Sequence, residues 1–148
     1  MAKKRIIQFS YYFNGNTSTV QDYLNPTIMD KFAHVLAEAK NLTFRPLWLS
    51  ETATDYCSCA FNLTATFVGG FLWLDKLGLS ASNGLDVVNR QDFEVSSFGL
   101  LNATGGTTPD YWLTFLHKKL VGNQVYGVFL EPNDSKLRLY ASSSRKYV

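Results

Sequence analysis

The chain has few of the residues on which common metal and nucleophilic sites depend. Its 148 residues include only two cysteines, Cys57 and Cys59, and two histidines, His34 and His117. A disulfide across one intervening residue is strained, and two thiolates alone do not complete a zinc site, so we expect two small, partly buried thiols and no metal. Both histidines fall inside predicted helices, which leaves a Ser/His/Asp triad without support.

Other features are missing as well. No apolar run reaches transmembrane length, and the net charge of +2 comes from scattered basic residues, so we expect neither a transmembrane segment nor a nucleic-acid partner. No glycine-rich loop follows a predicted strand, which argues against nucleotide binding, and we expect no cofactor. Residues 1–8 begin like a signal peptide but become polar and aromatic too soon, so no export signal is visible.

What the chain does contain is an alternation of strands and helices. Short segments that are apolar on both faces predict buried parallel strands, and helical spacing or an Asn-Pro or Thr-Pro start predicts the helices between them. The strands are expected at 6–13, 47–49 and 85–89, and the helices from Asn25, over 63–77 and from Thr108. This order predicts an α/β fold, and the length is too short for a complete eight-unit barrel.

Several details of packing follow from the same pattern. The apolar face of the second helix is predicted to consist of Leu63, Phe67, Phe71, Leu74 and Leu77. The pair Gly69-Gly70 predicts close contact with a neighbouring element. Arg90 and Asp92 are interpreted as a packing salt bridge, and Gly122 as the residue that ends the third helix. Segments 124–130 and 136–142 are predicted to form a hairpin with its turn at 131–134.

Glu51 is the sharpest candidate for chemistry. It follows the predicted strand 47–49, and reactive residues of parallel α/β folds lie at the carboxyl ends of strands. A carboxylate there, among Ser, Thr and Tyr, can act as a nucleophile or a base. From its position alone, a surface glutamate that caps the following loop is the simpler interpretation. A sugar site could be lined by Tyr11, Tyr12, Tyr56 and Trp48, although most aromatic residues in such a chain belong to the core.

The chain is also rich in possible glycosylation sites. Five Asn-x-Ser/Thr sequences are more than we expect by chance, and they indicate descent from a secreted protein. They begin at Asn16, Asn41, Asn62, Asn102 and Asn133.

Several longer stretches resemble the heparanases of glycoside hydrolase family 79. The similarity covers residues 5–141, with the stretches in the same order and at nearly the same spacing. They are Tyr11 to Gly15, Asp22 to Pro26, Leu47 to Thr52, Gly70 to Ala81, Val87 to Gln91 and Pro109 to Leu113.

The resemblance implies both a fold and an activity. It implies the last three βα units of a (β/α)8 barrel in residues 1–122, followed by the first strands of a β-sandwich in 123–148. Heparanases are secreted, extracellular-matrix or lysosomal endo-β-glucuronidases that cleave heparan sulfate by a retaining mechanism, in which Glu51 would be the nucleophile. The candidate substrate-binding residues are Tyr11, Asn16, Tyr56, Cys57 and Ser58.

The sequence also departs from the family pattern. The acid/base glutamate of an Asn-Glu-Pro turn is absent, and Glu131-Pro132 lacks the preceding Asn. Asn16 stands where the family has an arginine, and Cys57 and Ser58 stand where it has glycines whose backbone approaches the sugar. We therefore expect this segment to be inactive by itself, with heparan sulfate or a related glycosaminoglycan and a missing amino-terminal barrel half as partners. The alternative is a non-catalytic remnant that binds a glycan or a protein.

Overall fold

The computed structural model describes residues 5–7, 18–54, 60–94, 96–131, 134 and 136–145. The predicted strand 6–13 is represented there by residues 5–7, and its remainder lies outside the described residues. The fold is mixed α/β and is compatible with part of an α/β barrel.

Three parallel strands form one sheet. They are β1 (Arg5–Ile7), β2 (Leu47–Thr52) and β3 (Val87–Arg90), with β2 in the middle. Leu49 of β2 lies opposite Ile7 on one side and Val88 on the other. Because all three strands run in the same direction, their carboxyl ends lie at one edge of the sheet, as the sequence predicts.

Helices connect the strands and cover one face of the sheet. They are α1 (Val20–Tyr23), a 3₁₀ turn (Pro26–Met29), α2 (Asp30–Asn41), α3 (Phe61–Thr64), α4 (Phe67–Ser82) and α5 (Pro109–Leu120). The start predicted at Asn25 is confirmed, since its side chain accepts a hydrogen bond from the amide of Thr27 at 3.1 Å. The helix predicted over 63–77 forms two helices that are interrupted at residues 65–66. Within the described part of the chain, none of the helices is long and apolar enough to cross a membrane.

The apolar core lies between these helices and the sheet. It joins residues of α1, the 3₁₀ turn, α2, β2 and α4, and it includes Tyr23, Met29, Phe32, Leu36, Leu49, Leu72 and Leu79. Gly70 allows α4 to approach α5, because a Cβ atom there would lie 2.3 Å from a methyl carbon of Leu113. The close contact predicted from the glycine pair is thereby confirmed.

The buried face of α4 is not the one that the sequence predicts. Phe67 and Phe71 are 72% and 61% exposed, whereas Leu72 and Trp73 are 2% exposed. The helix is apolar on more than one side, so apolar spacing alone does not select the side that faces the sheet. Contact with β2 and α5 selects the face that carries Gly69, Gly70, Leu72, Trp73, Lys76, Leu79 and Ser80.

The carboxyl-terminal ladder also differs from its prediction. Strand β4 (Val121–Tyr126) begins directly after α5, so Gly122 lies in a strand and does not cap the helix. It pairs antiparallel with β5 (Ala141–Ser144), with Tyr126 opposite Ala141.

Contacts with the helices account for the shorter ladder. The hydroxyl of Tyr140 donates to Asp75 of α4. Arg138 donates to the carbonyl of Pro26, at 2.8 Å, and to the Asp30 carboxylate. These side-chain contacts hold the residues before β5 against α4 and the start of α2, away from the predicted partner strand.

We expect two neighbouring residues of α4 to respond differently to truncation. Leu72→Ala should lower the free energy of unfolding by about 2–5 kcal/mol, because it leaves a cavity in the core. Phe71→Ala should change it by about 0.5 kcal/mol or less, since an exposed side chain loses few contacts. Urea denaturation of the two variants measures both values. A larger loss for Phe71→Ala would restore the apolar face predicted from the sequence.

Candidate active site at the carboxyl end of strand β2

Glu51 is the penultimate residue of the central strand and is half-buried. Leu47 and Leu49 are buried and Trp48 is half-buried, as expected for side chains that alternate between the two faces of a sheet. The alternation then breaks, and the register with β3 shifts between Leu49 and Thr52. Thr52, at the end of the strand, is fully buried and contacts helix α4, whereas Glu51 beside it is only half-buried. The position predicted for Glu51, at the carboxyl end of a parallel strand, agrees with this geometry.

A lysine is buried directly beneath this strand end. Lys76 of α4 is 1% exposed, and its ammonium group donates to the hydroxyl of Thr52 at 2.9 Å and to the carbonyl of Ala53. The same nitrogen lies 5.8 Å from the centre of the Phe32 ring. A buried charge is tolerated only where polar groups replace its lost hydration, and here the end of β2 supplies two of those groups.

A second polar group reaches the strand end from α5. The Asp110 carboxylate accepts a hydrogen bond from the Thr54 hydroxyl at 3.0 Å and pairs with Arg90 at 2.7 Å. Both side chains of the ion pair are nearly inaccessible, at 7% for Arg90 and 2% for Asp110. The Arg90 guanidinium also lies over the Trp73 ring, 4.4 Å from its centre. Asp110 therefore connects the ends of β2 and β3 to the first turn of α5.

Burial dominates the electrostatics of Asp110. Loss of hydration raises the pKa of its carboxyl above the usual value, while the charge of Arg90 and the hydrogen bond from Thr54 act in the opposite direction. One carboxylate oxygen, Oδ1, is buried without a hydrogen-bond partner among the described residues. The carboxylate is therefore only partly compensated for its burial.

The partner predicted for Arg90 is wrong. Arg90 pairs with Asp110, twenty residues away, whereas Asp92 accepts a hydrogen bond from Ser96 at 2.6 Å. Neither Asp110 nor Lys76 is among the candidate residues predicted from the sequence. One signal was present in the sequence: Lys76 stands four residues after Leu72 and three after Trp73, on the side of α4 that is buried.

Most of the predicted substrate contacts cannot be placed. Tyr11, Asn16, Tyr56, Cys57 and Ser58 all lie outside the described residues, so their roles stay predictions. Three of the possible glycosylation sites are described, and all are exposed: Asn41, Asn62 and Asn102. The other two, Asn16 and Asn133, lie outside the described residues.

The two histidines lie on helices, as predicted. His34 on α2 is exposed, and its ring lies 3.6 Å from Glu38. Burial and the nearby charge of Arg145 lower the pKa of His117 on α5. Across the described residues, no three His, Cys, Asp or Glu side chains are grouped so that they could hold a metal ion.

The chain is similar in sequence to heparanases and to a related glycosidase. It is 43% identical to heparanase of Bos taurus over 137 residues, which is 88% of this chain and 25% of the bovine protein. It is 41% identical to hyaluronoglucuronidase of Hirudo nipponia over 142 residues, 91% of this chain and 29% of that protein. The chain thus spans about a quarter of the length of these relatives.

A relative named as inactive is also similar. Inactive heparanase-2 of Homo sapiens is 31% identical over 146 residues, which cover 88% of this chain and 25% of the human protein. No family model matches the chain. Sequence similarity of this kind is therefore shared by relatives with and without activity.

We expect the stability contribution of Asp110 to fall as pH rises. Because its pKa in the folded state is raised above the ordinary value of 3.8, the folded protein retains the proton more strongly than the unfolded chain does. The free energy of unfolding of the wild type minus that of Asp110→Asn should decrease above about pH 4 and become constant above the folded-state pKa. Urea denaturation between pH 3 and pH 7 measures this difference.

Asp22 provides a control of opposite sign. Hydrogen bonds from Thr19 lower the pKa of this exposed carboxyl, so its contribution is present above pH 3.8 and is lost at lower pH. The corresponding difference for Asp22→Asn should therefore rise with pH. If the Asp110 difference also rose, attraction to Arg90 would outweigh the cost of burial, contrary to the expectation.

Proposed function

The chain is a heparanase-like protein, a description with which glycoside hydrolase family 79 is consistent, and from that premise we propose that it carries the nucleophile of a retaining glycosidase. The proposed nucleophile is Glu51, and the proposed substrate is heparan sulfate or a related glycosaminoglycan. The observation that carries the proposal is the position of Glu51, half-buried at the carboxyl end of the central parallel strand. In barrels built from such strands, that edge holds the reacting groups.

The chemistry requires a second carboxyl group. In a retaining mechanism one carboxylate attacks the anomeric carbon and a second residue protonates the leaving oxygen. In this sequence the only Glu-Pro pair, Glu131-Pro132, is preceded by leucine, so the family's Asn-Glu-Pro motif does not occur among the 148 residues. Glu51 would therefore supply the first half of the reaction, with the acid coming from elsewhere.

The proposed architecture places these residues in a larger barrel. Residues 1–122 would form the last three βα units of a (β/α)8 barrel, and 123–148 the first strands of a β-sandwich. The parallel order of β1, β2 and β3 and the antiparallel pair β4 and β5 support this arrangement. The less covered face of β2 would point into the barrel, and an amino-terminal barrel half would be its partner. We also propose that the protein is secreted or lysosomal, as the resemblance to heparanases implies.

The second candidate is a heparanase-like protein without catalysis. The similarity to inactive heparanase-2 favours this candidate. So do Cys57 and Ser58, because they stand where the family pattern has glycines next to the sugar, and their side chains would crowd it. In this case Glu51 would be a structural carboxylate. The two candidates differ in one chemical property, the ability of Glu51 to attack an anomeric carbon.

A fluorinated glycosyl fluoride separates the two candidates. Fluoride leaves without protonation, so 2-deoxy-2-fluoro-β-glucuronosyl fluoride tests the first half-reaction without an acid. The Glu51 carboxylate would bond to C1 while the C1–F bond breaks and fluoride departs. We expect mass spectrometry of the digested chain to show the fluoroglucuronosyl group on the peptide that contains Glu51.

Two variants control this measurement. Glu51→Gln should abolish the labelling, because an amide is a poor nucleophile, whereas Glu38→Gln alters an exposed carboxylate on α2 and should leave it unchanged. An unlabelled wild-type chain would favour the non-catalytic candidate. Labelling that persists in Glu51→Gln would assign the nucleophile to another residue.

We expect the 148-residue chain to leave heparan sulfate intact. A natural leaving group needs protonation, and one carboxylate does not serve as nucleophile and acid in the two-residue scheme. Gel filtration of fluorescent heparan sulfate after incubation with the chain measures any shortening. Shortening that disappears in Glu51→Gln would contradict this expectation and reveal a second acid within the chain, with Asp55→Asn the first variant to test.

A further inference from the structure

The three residues that follow Glu51 are held by buried polar side chains from two helices. Lys76 of α4 donates to the hydroxyl of Thr52, at 2.9 Å, and to the carbonyl of Ala53. Asp110 of α5 accepts from the hydroxyl of Thr54, at 3.0 Å. Thr52, Ala53 and Thr54 are themselves buried, each with 1% of its surface or less exposed. Each of the three residues after Glu51 is therefore fixed by a hydrogen bond to a group with almost no access to water.

The neighbouring strand adds a backbone contact at the same point. The carbonyl of Thr52 accepts a hydrogen bond from the amide of Gln91, at 2.7 Å, just beyond the end of β3. This bond lies one residue past the irregular register of β2 and β3. It joins the two strands again after the register shift. The rate of hydrogen exchange at the Gln91 amide therefore reports whether the end of β2 is held in place.

Burying a lysine in an apolar space costs free energy, because the ammonium group loses its hydration. Replacing a buried charge by an apolar side chain of similar volume is often neutral or stabilising, so packing alone gives no reason for an ammonium group at position 76. What an apolar residue there lacks is the pair of directed hydrogen bonds to Thr52 and Ala53. The main effect of the ammonium group is therefore to fix the positions of Thr52 and Ala53, more than to stabilise the fold.

We propose that Lys76 and Asp110 are positioning residues that set the orientation of Glu51 by holding the backbone that follows it. This inference rests on the proposed function, in which Glu51 attacks an anomeric carbon. A displacement of about 1 Å at a reacting group lowers rates by about a hundredfold, so a nucleophile on a strand with an irregular register needs its following residues fixed. Helices α4 and α5 supply that support through Lys76 and Asp110.

The variants are chosen to remove hydrogen bonds while preserving volume. Lys76→Met keeps the length of the side chain without its donors, and Thr52→Val removes the hydroxyl that Lys76 contacts. Thr52→Ser retains the hydroxyl and serves as the conservative control. Thr54→Val removes the donor to Asp110 without altering the ion pair with Arg90.

The first measurement is the rate at which the fluoroglucuronosyl fluoride labels the full chain. We expect Lys76→Met and Thr54→Val to lower the maximal labelling rate by about a hundredfold and Thr52→Val by about tenfold, with the reagent concentration for half-maximal rate unchanged within about threefold. Thr52→Ser should label at close to the wild-type rate. A purely structural role would instead change the melting temperature and leave the labelling of folded protein unaltered.

The second measurement does not depend on catalysis. Hydrogen exchange of the Gln91 amide should be at least about tenfold faster in Lys76→Met than in the wild type, while amides in the middle of α5 exchange at unchanged rates. Unchanged exchange at Gln91 would overturn the positioning role of Lys76, whatever the labelling shows. Failure of the wild type to label would overturn the proposed function separately, and the exchange result would still decide whether Lys76 holds the strand end.

Discussion

Burial of the Lys76 ammonium is the constraint on which the arrangement around β2 depends. A charge with 1% exposure must find polar partners, and the groups within reach include the hydroxyl of Thr52 and the carbonyl of Ala53. These groups are available because β2 ends at Thr52 and because α4 turns the side that carries Lys76 toward the sheet. The same requirement connects the register shift in β2 to the orientation of α4, so the sheet and the helix specify each other.

The second buried charge cluster extends this coupling to the rest of the fold. Asp110 lies in the first turn of α5, Arg90 ends β3, and Thr54 follows β2, so one carboxylate links the ends of two neighbouring strands to a helix. Burial of this carboxylate opposes its charged form. It raises the pKa of Asp110, and one carboxylate oxygen has no hydrogen-bond partner among the described residues. An ion pair of this kind contributes little net stability, because desolvation opposes attraction. What it provides is a defined relative position of the strand ends.

These two clusters join the ends of the strands to helices α4 and α5. The side chains that contact Thr52, Ala53 and Thr54 come from the helices, and a backbone bond from Gln91 joins Thr52 to the neighbouring strand. Glu51, directly before them, is half-buried. Such support would suit the proposed nucleophile, since the backbone that follows Glu51 is fixed. It would equally suit a protein that has lost its chemistry and kept its fold, because the support does not depend on the substrate. The proposed enzyme and the proposed non-catalytic protein therefore share this architecture. They differ only in whether Glu51 can attack the anomeric carbon of a sugar.

The sequence alone determined the order of the elements and the location of Glu51, because both depend on local patterns. Apolar segments marked the strands, Asn25 with Pro26 marked a helix start, and the strand-end rule placed Glu51 at the edge of a parallel sheet. Only the tertiary structure decided which face of α4 is buried, since Phe71 and Leu72 are equally apolar and only contact with the sheet distinguishes them. It also decided that Arg90 pairs with Asp110, because that choice depends on the meeting of β3 and α5 and not on any spacing along the chain.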